Sequence, residues 1–128
     1  MLSLRPWRLS DAKFIISIRN KSELKKWFRQ DHNLTLKEQI NFMVTNYGVY
    51  RGYIILADTK SVGVIANHKN ELCIAAPFKY HAEAIRLLEY IEKPQRLFGD
   101  VLFGNPMLNT YLKAGFKIKS VRIEKCLQ

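Results

Sequence analysis

The feature that most constrains this chain is a change of hydrophobic period at its centre. Residues 52–57 (Gly-Tyr-Ile-Ile-Leu-Ala) form one apolar run, Asp58-Thr-Lys interrupts it, and residues 61–66 (Ser-Val-Gly-Val-Ile-Ala) form a second. Asn67-His-Lys-Asn70 ends that run, and residues 71–76 (Glu-Leu-Cys-Ile-Ala-Ala) form a third. Short apolar runs separated by brief turn signals predict three strands in an antiparallel meander. Pro77 closes the last of them.

On both sides of the meander the period becomes helical. Leu2 and Leu4 alternate as a first strand, and Ser10-Asp11 is placed to cap a helix with Phe14, Ile15 and Ile18 on one face, ending near Arg19-Asn20. Ser22 is placed to cap a short helix carrying Leu24, Trp27 and Phe28. Thr35 and Glu38 form a capping box opening another helix, with Leu36, Ile40, Met43 and Tyr47 at helical spacing. After the meander, residues 81–92 predict a helix with Ala84, Leu87, Leu88 and Ile91 on one face, stopped by Pro94.

The C-terminal stretch 101–116 reads as a strand, a helix and a return strand. Asn105 suits the N-cap and Pro106 the first helical position, where no N–H is needed. Gly115 supplies a left-handed stop. The predicted order is strand, two or three helices, three-strand meander, helix, strand, helix, strand.

A length of 128 residues with 48% hydrophobic content suits one domain over residues 1–128 with a core of its own. No apolar run approaches the roughly 20 residues that span a bilayer, and residues 1–8 lack the apolar centre of a secretion signal, so the expectation is a soluble cytoplasmic protein away from membranes. Cys73 and Cys126 have neither paired spacing nor nearby histidines, which predicts buried free thiols and no metal site. Of the histidines, His32 and His68 fall in turns and His81 near a helix start, none of them in a metal or nucleophile constellation.

The net charge of +10 is unevenly placed. Residues 1–29 hold eight Lys/Arg against two acids, residues 30–112 eight against eight, and residues 113–128 five against one. Basic ends around a neutral middle attract anionic partners, although solvated lysines also serve solubility alone. In Lys25-Lys26-Trp27-Phe28-Arg29 bases interleave with aromatics, a pattern of single-stranded nucleic-acid binding and equally of an amphipathic helix burying its aromatics.

The close Tyr111-Leu-Lys-Ala-Gly115-Phe116 resembles the "Tyr, x, Lys, x, Gly, Phe" ending of the GNAT superfamily of acyl-CoA-dependent N-acetyltransferases. The opening Leu4-Arg-Pro-Trp-Arg-Leu-Ser-Asp11, followed by Ile18-Arg19-Asn20, is similar to members related to ribosomal-protein acetyltransferases. Ser61-Val-Gly-Val-Ile and Glu71-Leu-Cys-Ile fit the same pattern. The resemblance spans nearly the whole chain and implies an α/β (α+β) GNAT-like fold, with a mixed, largely antiparallel twisted sheet flanked by helices.

It also implies a chemistry. Acetyl-CoA, the co-substrate, is expected in a V-shaped gap between residues 72–76 and 97–103, paired with backbone groups of Ile74 and Ala76. An acceptor amine attacks the thioester directly, which requires a base and a donor for the leaving thiolate. By the resemblance, Tyr111 takes the donor role and Glu71 the position of a carboxylate base. A helical tyrosine is also commonly a core residue, and an acid at a strand start is commonly solvated.

The phosphate loop departs from the family pattern. The Arg/Gln-x-x-Gly-x-Gly/Ala loop that cradles the CoA pyrophosphate on backbone N–H groups is replaced by Pro77-Phe-Lys-Tyr-His-Ala-Glu-Ala84, without a glycine. Lys79, Tyr80, His81 and Ala82 are the residues left to meet the phosphates, with Lys79 and His81 as substitute partners and Glu83 opposing. Asn105 stands one residue closer to Tyr111 than the family's strand-end asparagine, leaving Gly104 at that register. Two functions fit: N-acetyl transfer to an amine on an acidic protein, an RNA or a small molecule by a monomer or homodimer, or a catalytically inactive GNAT-fold module whose basic surface binds an acidic partner or nucleic acid.

Overall fold

The computed structural model describes residues 1–21, 32–101 and 105–119. Strand β1 (Leu2–Pro6) leads through a 3₁₀ turn (Leu9–Asp11) into helix α1 (Ala12–Arg19). Helix α2 (Leu36–Thr45) precedes the meander β2 (Tyr50–Ala57), β3 (Lys60–His68) and β4 (Glu71–Ala75). A second 3₁₀ turn (Phe78–Tyr80) opens α3 (His81–Glu92), and α4 (Leu108–Lys113) follows. The four strands form one antiparallel sheet in the order β1-β2-β3-β4. The short second helix predicted after Ser22, the Lys25-to-Arg29 patch, Leu102 to Gly104 and Cys126 lie outside the described residues.

The meander forms where its turn residues allow it. Asp58 has a positive φ of 56° in the first hairpin, and Lys69 and Asn70 have positive φ of 52° and 71° in the second. Two consecutive left-handed residues match the right-handed twist of a two-residue hairpin. Asn67 reinforces that turn, its Oδ1 accepting from the Asn70 N–H at 2.8 Å.

Alternation along the strands divides the core into two layers. One face carries Ile55, Ile65 and Ala76 with Ile85 and Leu88 of α3; the other carries Ile54, Val64 and Ala75 with Ile15 and Ile18 of α1 and Met43 of α2. The α3 face differs from the sequence expectation. Ala84 and Leu88 are buried as expected, but Ile85 completes the stripe while Ile91 is 44% exposed. His81, seven residues before Leu88 and so on the same face, is buried with them.

The helix ends explain why the chain turns where it does. Thr35 Oγ1 accepts from the Glu38 N–H at 3.2 Å and Glu38 Oε1 from the Thr35 N–H at 3.1 Å, completing the capping box. The Asp11 side chain does not cap α1 as expected. It turns back to accept from the Arg8 N–H at 2.7 Å and from both terminal nitrogens of Arg5 at 2.8 and 2.9 Å, because these three bonds, two of them a bidentate ion pair, outweigh a single cap to α1. Arg5 beside it holds the Asp11 carboxyl below the usual range. The Asn20 amide pairs with both backbone groups of Leu34 at 2.8 and 2.9 Å, tying the end of α1 to the approach to α2.

The expected strand over residues 97–103 is reduced, across its described part, to a single parallel bridge between Phe98 and Glu71. Leu72 N–H donates to Phe98 O at 2.6 Å, and Phe98 N–H to Asn70 O at 2.9 Å. Residues 99–101 are described and form no strand. Residues 116–119 likewise form no strand where a return strand was expected. Asn105 is not the N-cap of α4, which begins at Leu108; its Oδ1 instead closes an Asx turn, accepting from the Met107 N–H at 2.9 Å. Gly115 is the predicted left-handed stop, with φ of 98°, and the Phe116 N–H reaches the Tyr111 carbonyl at 3.1 Å, closing a Schellman-type end.

Candidate active site

Strand β4 forms one edge of the four-stranded sheet among the described residues. Since Leu72 bonds outward to Phe98, alternation directs the backbone groups of Ile74 and the N–H of Ala76 to the same outer edge. Beyond the Glu71–Phe98 bridge, no backbone bond crosses this edge among the described residues. Gly99 sits close against the closed end, where an added Cβ would lie 3.3 Å from the Leu72 carbonyl oxygen. Among the described residues, the β4 edge is therefore paired at its start and carries no backbone partner toward its end.

At that end lies a three-part hydrogen-bonded chain. The His81 ring is 4% exposed, with Nε2 2.9 Å from the Ala76 carbonyl oxygen and Nδ1 2.9 Å from the Tyr111 hydroxyl. The two rings stack at 29°, Phe78 meets His81 edge-on, and Phe116 meets Tyr111 at 61°. Burial pushes the His81 pKa down, against the raising effect of the Ala76 carbonyl. Burial also pushes the Tyr111 phenol up to about 12.

These positions bear on the expected cofactor residues. His81 points inward, and the Ala76 carbonyl is engaged by it, leaving the Ala76 N–H and Ile74 as edge groups. Lys79 is exposed, its Nζ 5.1 Å from the Tyr80 ring centre; Ala82 is half-buried on the first turn of α3. A pocket of about 440 Å³ beside that turn is lined by Lys21, Lys60 and Lys79 together with Ser61, Pro77 and Tyr80. Sequence reading missed Lys21 and Lys60, which are remote from the loop in sequence and meet it only through the ends of α1 and β3.

Glu71 and Tyr111 lie on opposite faces of the sheet. Glu71 shares its face with Cys73 and Ala75, toward α1 and α2, whereas Tyr111 packs with the α3 layer. Near Glu71, burial foremost raises both the Tyr50 hydroxyl and the Cys73 thiol. Trp7 stacks on Tyr50 with centroids 5.3 Å apart and ring planes 9° from parallel, while Phe42 meets the same ring edge-on at 4.9 Å. The carboxylate and the phenol are brought to one strand but not to one side of it.

The buried histidine makes stability depend on pH. Its folded pKa is depressed, so the unfolded chain binds the extra proton; its contribution is intact above the unfolded value of about 6.5 and lost as pH falls toward the folded value. Thermal melts are expected to show stability falling from pH 7 toward pH 5, with the slope flattened in His81→Asn. The Asp11 carboxyl acts in a separate window, below about pH 4.

Comparison with known proteins places this architecture. Spermidine N-acetyltransferase from Vibrio cholerae, solved in complex with CoA and spermine, matches with a TM-score of 0.81 at 15% identity, over 98% of this chain and 86% of that one. A dodecameric form of the Vibrio cholerae enzyme matches at TM-score 0.75 and 19% identity, over 98% and 84% of the two chains. A domain from Methanocaldococcus jannaschii matches at TM-score 0.76 and 16% identity, over 91% and 88%. No family model matches the chain, and no curated protein matches it. The chain has the GNAT-like fold of these N-acetyltransferases.

Proposed function

We propose that this protein is an N-acetyltransferase that takes acetyl-CoA as co-substrate and transfers its acetyl group to an amine. The observation that carries the reading is the β4 edge, where the Ile74 backbone and the Ala76 N–H face outward beyond the last bridge formed among the described residues. An extended, amide-bearing arm such as pantetheine satisfies such an edge as an added strand does. The GNAT-like fold, shared with an enzyme solved with CoA and spermine, supports it.

The glycine-free turn fits phosphates through charge. Close backbone approach is hindered by the side chains of Phe78, Lys79 and Tyr80, but the N-terminus of the 12-residue α3 remains, and Lys21, Lys60 and Lys79 line the adjoining pocket. Transfer forms an amide N–C bond and breaks the thioester C–S bond; the amine gives up a proton, and the thiolate must be stabilised or protonated. Glu71 is the base of this reading, which puts the acceptor on the α1 and α2 face and the leaving sulfur on the α3 face. Tyr111 serves that sulfur as a hydrogen-bond donor, since complete proton transfer from a phenol at about 12 to a thiolate whose conjugate thiol has a pKa of about 8.5 runs uphill. The net charge of +10 favours an acceptor amine carried on an acidic protein or RNA.

Calorimetric titration with acetyl-CoA, CoA and desulfo-CoA tests the reading. Micromolar binding is expected, weakened roughly tenfold, or about 1.4 kcal/mol, when Lys60 and Lys79 are both replaced by alanine. No binding at millimolar ligand sinks the enzymatic reading and leaves a GNAT-fold module for an acidic partner.

A further inference from the structure

We infer that His81 is the positioning residue for Tyr111: its Nε2–H is committed to the Ala76 carbonyl, so its Nδ1 accepts the Tyr111 hydroxyl proton and turns that proton away from the β4 edge. The assignment follows from donor and acceptor inventory. The Ala76 carbonyl only accepts, so Nε2, 2.9 Å away, carries hydrogen. A neutral imidazole has one N–H, which leaves Nδ1 an acceptor, and only a phenol hydrogen can fill the 2.9 Å contact to Tyr111. The ring is 4% exposed and held edge-on by Phe78, so it cannot flip to exchange the two nitrogens without losing both bonds.

This has a consequence for the proposed chemistry, on which the catalytic part of the inference rests. Toward the edge, Tyr111 presents lone pairs at rest. It meets an incoming N–H as an acceptor and becomes a donor to sulfur only after its hydroxyl rotates off Nδ1, a motion about one C–O bond that moves no ring. The strand end, the helix start and the reactive hydroxyl are thereby linked: Ala76 fixes His81, and His81 fixes Tyr111.

Nitrogen-detected NMR of the imidazole at pH 7.5, on the full chain without ligand, tests the tautomer independently of any activity. The expected spectrum has a protonated Nε2 and an unprotonated, hydrogen-bonded Nδ1, with the Nδ1 resonance moving in Tyr111→Phe while Nε2 stays. A protonated Nδ1, or an Nδ1 resonance indifferent to Tyr111→Phe, overturns the inference. Two substitutions then separate positioning from packing. His81→Asn places an amide oxygen near Nδ1 and keeps a partner for Tyr111, whereas His81→Gln places its amide near Nε2 and keeps Ala76. If the chain acetylates amines, kcat is expected to fall at least tenfold more in His81→Gln, where the Tyr111 oxygen loses the partner that holds it in position, than in His81→Asn, with KM for acetyl-CoA within a factor of about 2 in both. Equal kcat in two folded variants removes the catalytic consequence. Absent acetyl-CoA binding removes the enzymatic reading and leaves the NMR result standing.

Discussion

Leu88→Ala is expected to lower unfolding stability by about 2–5 kcal/mol, read as a reduced urea midpoint at unchanged slope. Leu88 is fully buried in the cluster that joins α3 to Ile55 and Ile65 of the sheet and to Leu2 of β1. Truncation removes its transfer free energy and leaves a cavity that β-branched neighbours on a pleated sheet cannot readily collapse into. The loss also reaches the site, since His81 lies two turns earlier on the same helical face. Ile91→Ala is the matched control. Ile91 is 44% exposed, and its truncation is expected to cost less than about 1 kcal/mol. Equal costs for the two would contradict the observed orientation of α3.

That orientation marks how far sequence pattern reaches. Periodicity predicts the helix over residues 81–92, because proline ends it on the C-terminal side and apolar residues recur at helical spacing. It cannot choose between Ile85 and Ile91: Ala84, Leu87, Leu88 and Ile91 satisfy the spacing as well as Ala84, Ile85, Leu87 and Leu88, the set that meets the core. The choice is made by His81, a polar residue that a count of apolar positions passes over, and that the fold buries because Ala76 and Tyr111 satisfy both its ring nitrogens. The meander was legible for the opposite reason. Its signals are local, and the turn read over residues 67–70 narrows in the structure to Lys69 and Asn70, both left-handed. Tyr111 was named through a family resemblance, yet its partner stands 30 residues away with no spacing signal to connect them. The same holds for Lys21 and Lys60, which reach the turn at Lys79 through three-dimensional neighbourhood alone.

Gly63→Ala is expected to destabilise the chain by about 1–3 kcal/mol and to disturb the His81 resonances as well. Gly63 lies in β3 opposite the end of β4, where an added Cβ would stand 2.4 Å from the Ala76 Cβ, 2.8 Å from the Ala75 carbonyl oxygen and 3.0 Å from the Ala76 Cα. None of these is the tip of a flexible side chain, so relief requires the end of β4 to move outward. That end carries the Ala76 carbonyl which fixes His81, and the same movement alters the edge proposed to receive the pantetheine arm. A stability change and an Nε2 resonance change are therefore expected together. Gly48→Ala separates this from the general loss of a glycine: Gly48 has φ of 79° with nothing within 4 Å of an added Cβ, so its cost is backbone strain of about 1–2 kcal/mol with the His81 signals unmoved. If Gly63→Ala melts like the parent chain and leaves Nε2 in place, the close packing of β3 against the end of β4 does not set the site. If both readouts move while Gly48→Ala moves only stability, the absent methyl group at position 63 is what lets Ala76 sit where His81 can reach it.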